Sequence, residues 1–336
     1  MKLRSLIFFF LILFVIALLS AYYLFNYYTK EFAYNSEIKL VEINKGESVT
    51  KISKKLLDNK IIFNDKLFVL YVRINKLEGS LKAGEYEFSK NLTIKDVTER
   101  LINGDVKLRK VTIPEGLTLK QIAQVFERNN LFSATEFLSA LEDQNLKQEL
   151  LGSEINSYEG FIFPETYNYS KDAGPEEFVR MMVAMHKKVF DELRPNYNEE
   201  NDLSDYEILK LASIIEKESG ANSELRTISS VFHNRLRIGM KLDSDPTIIY
   251  GMGDSYDGNI RKRDIEQYTA YNTYHIQGLP PTPISNPGKA AIEAAMNPEQ
   301  TEFLFFVSMG NGTHYFSKNY KEHRRAVYNY QIKKRN

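Results

Sequence analysis

The first hydrophobic pattern along the chain is an uncharged, largely apolar stretch from Leu6 to Phe25, preceded by Lys2 and Arg4. At about 1.5 Å per helical residue, this stretch can cross a hydrocarbon core of about 30 Å, so it predicts a membrane-spanning helix. A cleaved signal peptide is the alternative. Such peptides usually have a shorter apolar core that ends in small residues, whereas bulky aromatic residues follow Ala21.

The residues that flank this stretch predict its orientation. Basic residues on the short side keep an N-terminus in the cytoplasm, and aromatic side chains favour the membrane interface. Four tyrosines stand at the far end of the stretch: Tyr22, Tyr23, Tyr27 and Tyr28. We therefore expect residues 1–5 to be cytoplasmic, residues 6–28 to form a single-pass transmembrane anchor, and everything after about Lys30 to be exported.

The second pattern alternates apolar and polar residues, passes through a turn and continues at helical spacing. The run VEINKGESV at 41–49 recurs without gaps as VTIPEGLTL at 111–119. A degenerate third copy occupies 86–101, with Asn91 at the turn where the other copies have glycine, and asparagine tolerates the left-handed backbone that such turns need. Each copy predicts a strand, a turn and a helix, and the repeat region is placed at 38–150.

The third pattern is a run of apolar residues at helical spacing that follows Ser204. This serine is suited to cap the helix, with Glu207 three residues later as in a capping box. The apolar face centres near Ile208 and Ile215, as expected for a buried helix. Gly220 follows the last helical residues and predicts a left-handed C-terminal cap.

Composition and charge narrow the range of functions. With 336 residues, of which 43% are hydrophobic, the chain can form two extramembrane domains of mixed α+β class, the second at 155–336. Lys plus Arg and Asp plus Glu both number 44, so no net charge favours nucleic acid. Cysteine is absent, which excludes disulfides and a catalytic thiol. We predict neither a cofactor nor a metal, because Asp243 and Asp245 lack a ligand-rich loop.

Two glutamates at the end of the third-pattern helix are the candidate acids. On a helical wheel, Glu216 and Glu218 lie at the two edges of the apolar face, with Lys217 opposite that face. The negative end of the helix dipole, a neighbouring carboxylate and apolar flanks favour a raised carboxyl pKa, which suits a general acid, while Lys217 opposes the rise. The wheel does not choose between the two glutamates, and a charged helix end in solvent is the alternative.

Longer motifs then carry a family resemblance. They are LASIIEKES at 211–219, VFHNRL at 231–236, DPTIIYGMG at 245–253, YNTY at 271–274 and GLPP at 278–281. In this order, behind an apolar anchor, they resemble the YceG-like family of endolytic murein transglycosylases. The strand–helix units that precede them resemble LysM-like modules, which bind glycans containing N-acetylglucosamine, and a structural spacer is the alternative.

The resemblance implies a site and a reaction. The second glutamate of the Glu-Lys-Glu motif, Glu218, is implied as the catalytic acid. The candidate substrate-binding residues are Ser219, Asn234, Asp245, Tyr271, Asn272 and Tyr274. A lytic transglycosylase cleaves the β-1,4 bond between N-acetylmuramic acid and N-acetylglucosamine through attack by the C6 hydroxyl of the muramic acid. It leaves a 1,6-anhydro end, so the second protein carboxylate of an ordinary glycosidase is not required.

The resemblance also implies partners and a location. The substrate would be nascent peptidoglycan strands, whose elongation the cleavage terminates, and the partners would be peptidoglycan synthases (penicillin-binding proteins). The anchor would lie in the cytoplasmic (inner) membrane, with the catalytic domain on the periplasmic side. A binding adaptor that only recruits synthases is the second hypothesis, and Glu218 within an intact motif favours the enzyme.

Overall fold

The computed structural model describes residues 2–29, 38–89, 92–197, 203–220 and 222–333. The chain divides into two compact units. The first unit comprises Met1–Lys110 with Asn168–Ala173, and the second comprises Val111–Tyr167 with Gly174–Asn336. The expected α+β class is confirmed, because both helices and paired strands occur. The predicted domain limits, 38–150 and 155–336, stay a prediction.

The first unit contains the apolar helix and the first repeat copy. Its elements are α1 (Lys2–Thr29), β1 (Lys39–Ile43), α2 (Val49–Asp58), α3 (Asp65–Ile74), β2 (Gly84–Phe88) and α4 (Ile94–Asn103). Strands β1 and β2 pair antiparallel, and apolar side chains from these strands and from α2, α3 and α4 form one core. Within α1, the segment Leu6–Thr29 has a mean hydropathy of 2.7 and is long enough to cross a membrane. It is compatible with a single-pass anchor.

The strand, turn and helix predicted for the repeat are observed in both clear copies. Between β1 and α2 the backbone turns at Gly46, with φ of 79°, and Ser48 caps α2. In the second copy it turns at Gly116, with φ of 72°, and Thr118 caps the next helix. The third copy provides β2 and α4, while Asn91 lies outside the described residues. These capping hydroxyls satisfy backbone N–H groups that have no partner within a helix.

The second unit is largely helical. Its helices are α5 (Leu119–Arg128), α6 (Ala134–Glu142), α7 (Gln144–Leu151), α8 (Pro175–Leu193), α9 (Asp205–Glu218), α10 (Leu225–Arg237), α11 (Asp245–Met252), α12 (Lys262–Glu266), α13 (Lys289–Met296) and α14 (Tyr320–Val327). It also contains strands β5 (Phe305–Ser308) and β6 (His314–Ser317), which form an antiparallel hairpin. Strands β3 (Arg109–Thr112) and β4 (Thr166–Tyr169) pair with each other. Buried side chains of α8, α9, α10 and α13 form the core of the second unit.

Helix α9 begins as predicted and ends differently. Ser204 accepts the backbone N–H of Glu207, whose carboxylate accepts the N–H of Ser204, so the capping box is confirmed. The left-handed cap predicted at Gly220 is wrong, because the helix ends two residues earlier and Ser219 is extended, with φ of −87° and ψ of 128°. A Cβ at Gly220 would lie 3.2 Å from the carbonyl oxygen of Gly312. Glycine therefore permits a close backbone approach at this position.

Candidate active site

An open cavity of about 460 Å³ lies at the C-terminal end of α9. Its walls come from α9, α10, the segment that leads into α11, the β5–β6 hairpin and α14. Three carboxylates line it: Glu218, Asp243 and Asp245. The positively charged guanidinium of Arg235 and the imidazole ring of His314 also line it. The cavity therefore combines acids, a fixed cation and a titratable ring.

Glu218, the last residue of α9, is half-buried at this cavity. The hydroxyl of Ser244 donates to its Oε1 at 2.6 Å. Burial raises the pKa of Glu218 to about 7; the charge of Asp245 adds to the rise, while the bond from Ser244 and the charge of Arg235 oppose it. A carboxyl that holds its proton near neutral pH beside an open cavity can act as a general acid.

Ser244 is itself held in place by a network of hydroxyl groups. It is 1% exposed, and its backbone N–H donates to Oγ1 of Thr273 at 2.9 Å. Its carbonyl accepts the hydroxyl of Thr247 at 2.6 Å, and the two threonine hydroxyls lie 2.9 Å apart. Sequence reasoning missed this residue, whose only signal was its place between Asp243 and Asp245.

Glu216 has different surroundings. Its Oε2 accepts the backbone N–H of Gly288, the N-cap residue of α13, at 3.0 Å. Burial raises the pKa of Glu216, and the bond from Gly288 opposes the rise. A carboxylate in this position satisfies a helix N-terminus and links α9 to α13. The tertiary structure thus separates two glutamates that the helical wheel left equivalent.

Two of the predicted substrate-binding residues lie in the cavity and contact each other. The hydroxyl of Tyr274 donates to Oδ1 of Asp245 at 2.8 Å. Burial raises the pKa of Tyr274, as does the charge of Asp245, so this hydroxyl stays protonated at neutral pH. Asp245 is exposed and Tyr274 is half-buried, and both can hydrogen-bond a sugar hydroxyl.

Ser219 and Asn234 both donate hydrogen bonds to main-chain carbonyls. Ser219 directly follows Glu218, and its N–H donates to the carbonyl of Ile215 at 3.1 Å. Asn234 donates from Nδ2 to the carbonyls of residues 301 and 303, at 2.9 and 3.0 Å. Asn234 therefore organises the approach to β5, and it is not among the side chains that line the cavity.

Tyr271 and Asn272 support the loop that carries Tyr274. The hydroxyl of Tyr271 lies 3.0 Å from that of Thr282. Asn272 is fully buried and donates to the carbonyls of residues 265 and 267, at 3.0 and 2.8 Å. Its Oδ1 accepts the N–H of Tyr274 at 3.0 Å. The structure does not bring these two side chains into the cavity lining.

Arg235 is a buried cation that sequence reasoning missed. It is 7% exposed, and its guanidinium donates to the carbonyls of Leu304 and Leu242, both at 2.7 Å. Its Nη1 lies 3.5 Å from Oδ2 of Asp243. It thereby ties two cavity walls together and opposes the rise in the pKa of Glu218. Its only signal in the sequence was its place within a long motif.

Comparison with known proteins decides the family. The sequence model of the YceG-like family matches residues 41–329. The chain belongs to the YceG-like family. This confirms the family predicted from the motifs, and the match extends from β1 beyond α14.

Named relatives of this YceG-like chain come from several bacteria. It is 31% identical over 305 residues to the endolytic murein transglycosylase of Bacillus subtilis. This alignment covers 86% of this chain and 84% of the relative. It is 28% identical over 320 residues to the enzyme of that name from Streptococcus pneumoniae strain D39, covering 85% of this chain but 57% of the relative. A crystal structure of a YceG-like protein from Listeria monocytogenes shares 33% identity and has a TM-score of 0.58, covering 87% and 99% of the two chains.

Proposed function

We propose that this YceG-like protein is a membrane-anchored endolytic transglycosylase of peptidoglycan and that Glu218 is its acid. The observation that carries the assignment of Glu218 is a half-buried carboxyl, with a pKa raised to about 7, on the wall of an open cavity. The names of the relatives support the substrate and the enzyme class. The protein is an enzyme of the lytic transglycosylase class, and peptidoglycan is its substrate.

In the proposed reaction, Glu218 gives its proton to the glycosidic oxygen between N-acetylmuramic acid and N-acetylglucosamine. The C6 hydroxyl of the muramic acid attacks the anomeric carbon as the glycosidic bond breaks, which leaves a 1,6-anhydro end. In this scheme the carboxylate left behind takes the proton of that hydroxyl, so Glu218 serves twice. Asp245 and Tyr274 orient the sugar, and the carboxylates of Asp243 and Asp245 favour positive charge on the anomeric carbon.

The apolar helix α1 supports the proposed location. With basic residues on its short side, it would hold the second unit on the outer side of the cytoplasmic membrane, where strands are newly made. There the enzyme would act beside penicillin-binding synthases and end strand elongation. The strand–helix units of the LysM-like region would bind the glycan or position the catalytic part.

Hydrolysis of the same bond is the second candidate function. Glycosidases that use water pair an acid with a second carboxylate across the scissile bond. Asp243 and Asp245 line the same cavity as Glu218, so a second carboxylate is available to activate a water. Hydrolysis would leave reducing ends, which are heavier than 1,6-anhydro ends by one water.

The mass of the products tests these proposals. Full-length protein in detergent micelles is incubated with peptidoglycan strands, and the released fragments are analysed by mass spectrometry. We expect 1,6-anhydro ends from the wild type, none from Glu218→Gln and retained activity in Glu216→Gln. Reducing ends from the wild type would establish hydrolysis. Full activity in Glu218→Gln would refute the residue assignment, and no products from a folded wild type would favour the adaptor.

A further inference from the structure

A histidine on the wall of the same cavity, which the proposed reaction does not use, pairs with a glutamate within hydrogen-bonding distance. His314, the first residue of β6, lines the cavity together with Glu218. Its ring Nδ1 lies 2.8 Å from Oε2 of Glu224. The backbone N–H of His314 donates to both carboxylate oxygens of Glu224, each at 3.1 Å. One carboxylate therefore holds both the main chain and the ring of His314.

This contact determines which ring nitrogen can accept a proton. Because a carboxylate only accepts hydrogen bonds, Nδ1 of His314 carries the proton that it donates to Glu224. In the neutral ring, Nε2 is then an acceptor, and within the described part of the chain no side chain or backbone group bonds to it. A carboxylate at Nδ1 orients a histidine for general-base catalysis and stabilises the imidazolium that forms.

The β5–β6 hairpin brings this ring to the end of α9. Gly220 stands two residues after Glu218, and Gly312 stands two residues before His314. A Cβ at residue 220 would lie 3.2 Å from the carbonyl oxygen of residue 312, so a side chain there would require the hairpin backbone to shift by a few tenths of an ångström. The hairpin turn and the helix end therefore meet beside the cavity, whose wall includes both Glu218 and His314.

We propose that His314, oriented by Glu224, accepts the proton of the attacking C6 hydroxyl. This inference rests on the proposed function and reassigns one of its proton transfers. The C6 oxygen forms its bond to C1 as the bond from C1 to the glycosidic oxygen breaks. That oxygen takes the proton of Glu218, and the hydroxyl proton passes to Nε2 of His314. Afterwards the imidazolium of His314 loses its proton to solvent, and the carboxylate of Glu218 takes up a proton from solvent. No water is consumed.

Other charged or titratable side chains share the cavity with His314. They are Glu218, Arg235, Asp243, Asp245, Tyr274, Tyr320 and His323. His323 packs against the ring of Phe305 at 5.2 Å, and burial lowers its pKa. Its buried Nδ1 has no hydrogen-bond partner among the described residues, so it lacks the orienting carboxylate that His314 has. The pair of Glu224 and His314 is therefore the candidate base.

Steady-state kinetics of the full-length protein on peptidoglycan strands, measured across pH, test the inference. In His314→Gln we expect kcat to fall about 100-fold while KM stays within about threefold. The loss of wild-type activity on the acid side, where the base becomes protonated, should disappear. Glu224→Gln leaves the ring in place and should lower kcat about tenfold. His233→Gln is the matched control, because its ring bonds the carbonyl of Ala295 and does not line the cavity.

Two results would overturn the inference. One is a kcat in His314→Gln within about twofold of the wild type, and the other is a lowered kcat with the acid-side loss of activity unchanged. Thermal unfolding of each variant establishes that it is folded. If His314→Gln does not fold, an unchanged kcat and pH profile in Glu224→Gln overturns the inference instead. An inactive wild type would refute the proposed function, which is a distinguishable outcome.

Discussion

Two glutamates of the second unit have the same pKa shift in different surroundings. Burial is the main cause that raises the pKa of both Glu218 and Glu159 to about 7. Glu159 is 3% exposed and accepts the N–H of Leu119 at 3.2 Å, the hydroxyl of Tyr250 at 3.0 Å and the amide of Asn286 at 2.8 Å. Glu218 accepts a serine hydroxyl and lines an open cavity.

The difference shows that a raised pKa marks a desolvated carboxyl, which is not always a catalytic one. The oxygens of Glu159 are occupied by donors that fix the start of α5 and the segment after residue 159. Asn286 extends this network by accepting the N–H groups of Gly160 and Ile162. Access to a cavity, together with the raised pKa, distinguishes the acid from the structural carboxyl.

The largest effect is expected from Glu218→Gln, which removes the proton donor and keeps the shape of the side chain. Since general-acid catalysis contributes about 100- to 10,000-fold, we expect turnover to fall by about 1000-fold. Glu159→Gln should stay within about threefold of the wild type. Initial rates of fragment release from peptidoglycan strands measure both. Equal losses in the two variants would remove the distinction between them.

Glu159→Gln should instead change the pH dependence of stability. The folded-state pKa is raised from 4.5 to about 7, so the folded protein keeps a proton that the unfolded chain loses. The contribution is fully present below about pH 4.5 and is lost as the pH rises through about 7. At about pH 8 the variant should have a free energy of unfolding about 1–3 kcal/mol above the wild type, and the gap should shrink by about pH 5.

Urea denaturation at the two pH values measures this difference. Glu218→Gln should change stability in the same direction, because the pKa of Glu218 is shifted in the same direction. The two variants would then share a stability signature and differ in catalysis. A difference that does not vary with pH would contradict a raised folded-state pKa.

A smaller effect is expected when Ser244 is changed to alanine. Its hydroxyl lowers the pKa of Glu218, so its loss should raise that pKa and move the alkaline limb of kcat/KM to higher pH. The lost hydrogen bond should also reduce kcat about three- to tenfold, since it orients the carboxyl. A pH-rate profile of the variant checks both effects. An alkaline limb that stays in place would show that Ser244 does not tune the acid.

The smallest effect is expected from Glu216→Ala, which removes the acceptor at the start of α13. We expect the free energy of unfolding to fall by about 1 kcal/mol, because the N–H of Gly288 loses its partner. Activity per folded molecule should be unchanged. Glu216→Gln keeps an acceptor and should lose less stability in the same urea titration. A large catalytic defect in either variant would place this residue in the site.

Local features of the fold were predictable because neighbours along the chain cause them. Helix α8 has proline in its first turn and two glutamates near its positive end, which are signals that adjacent residues supply. The capping box of Ser204 and Glu207 is likewise a contact between residues three apart. Gly220 was misread for the opposite reason. Its role depends on Gly312, which the spacing of nearby residues does not reveal.

The candidate site was predictable only in part. The motifs contain residues that line the cavity, such as Asp245 and Tyr274, and residues that bond the backbone behind it, such as Asn234 and Asn272. Both kinds stand in the same motifs, so motif membership did not separate them. His314 lies 90 residues from Glu224 in the chain, and no motif predicted that they would pair.

The sequence by itself determined the apolar anchor segment, the strand–turn–helix repeat, the start of α9 and the family. These follow from periodicity, caps and motif order, which are properties of short stretches of chain. Only the tertiary structure decided which of two neighbouring glutamates faces a cavity. Desolvation and access depend on groups far away in the chain: Ser244 and Arg235 beside Glu218, and Gly288 beside Glu216.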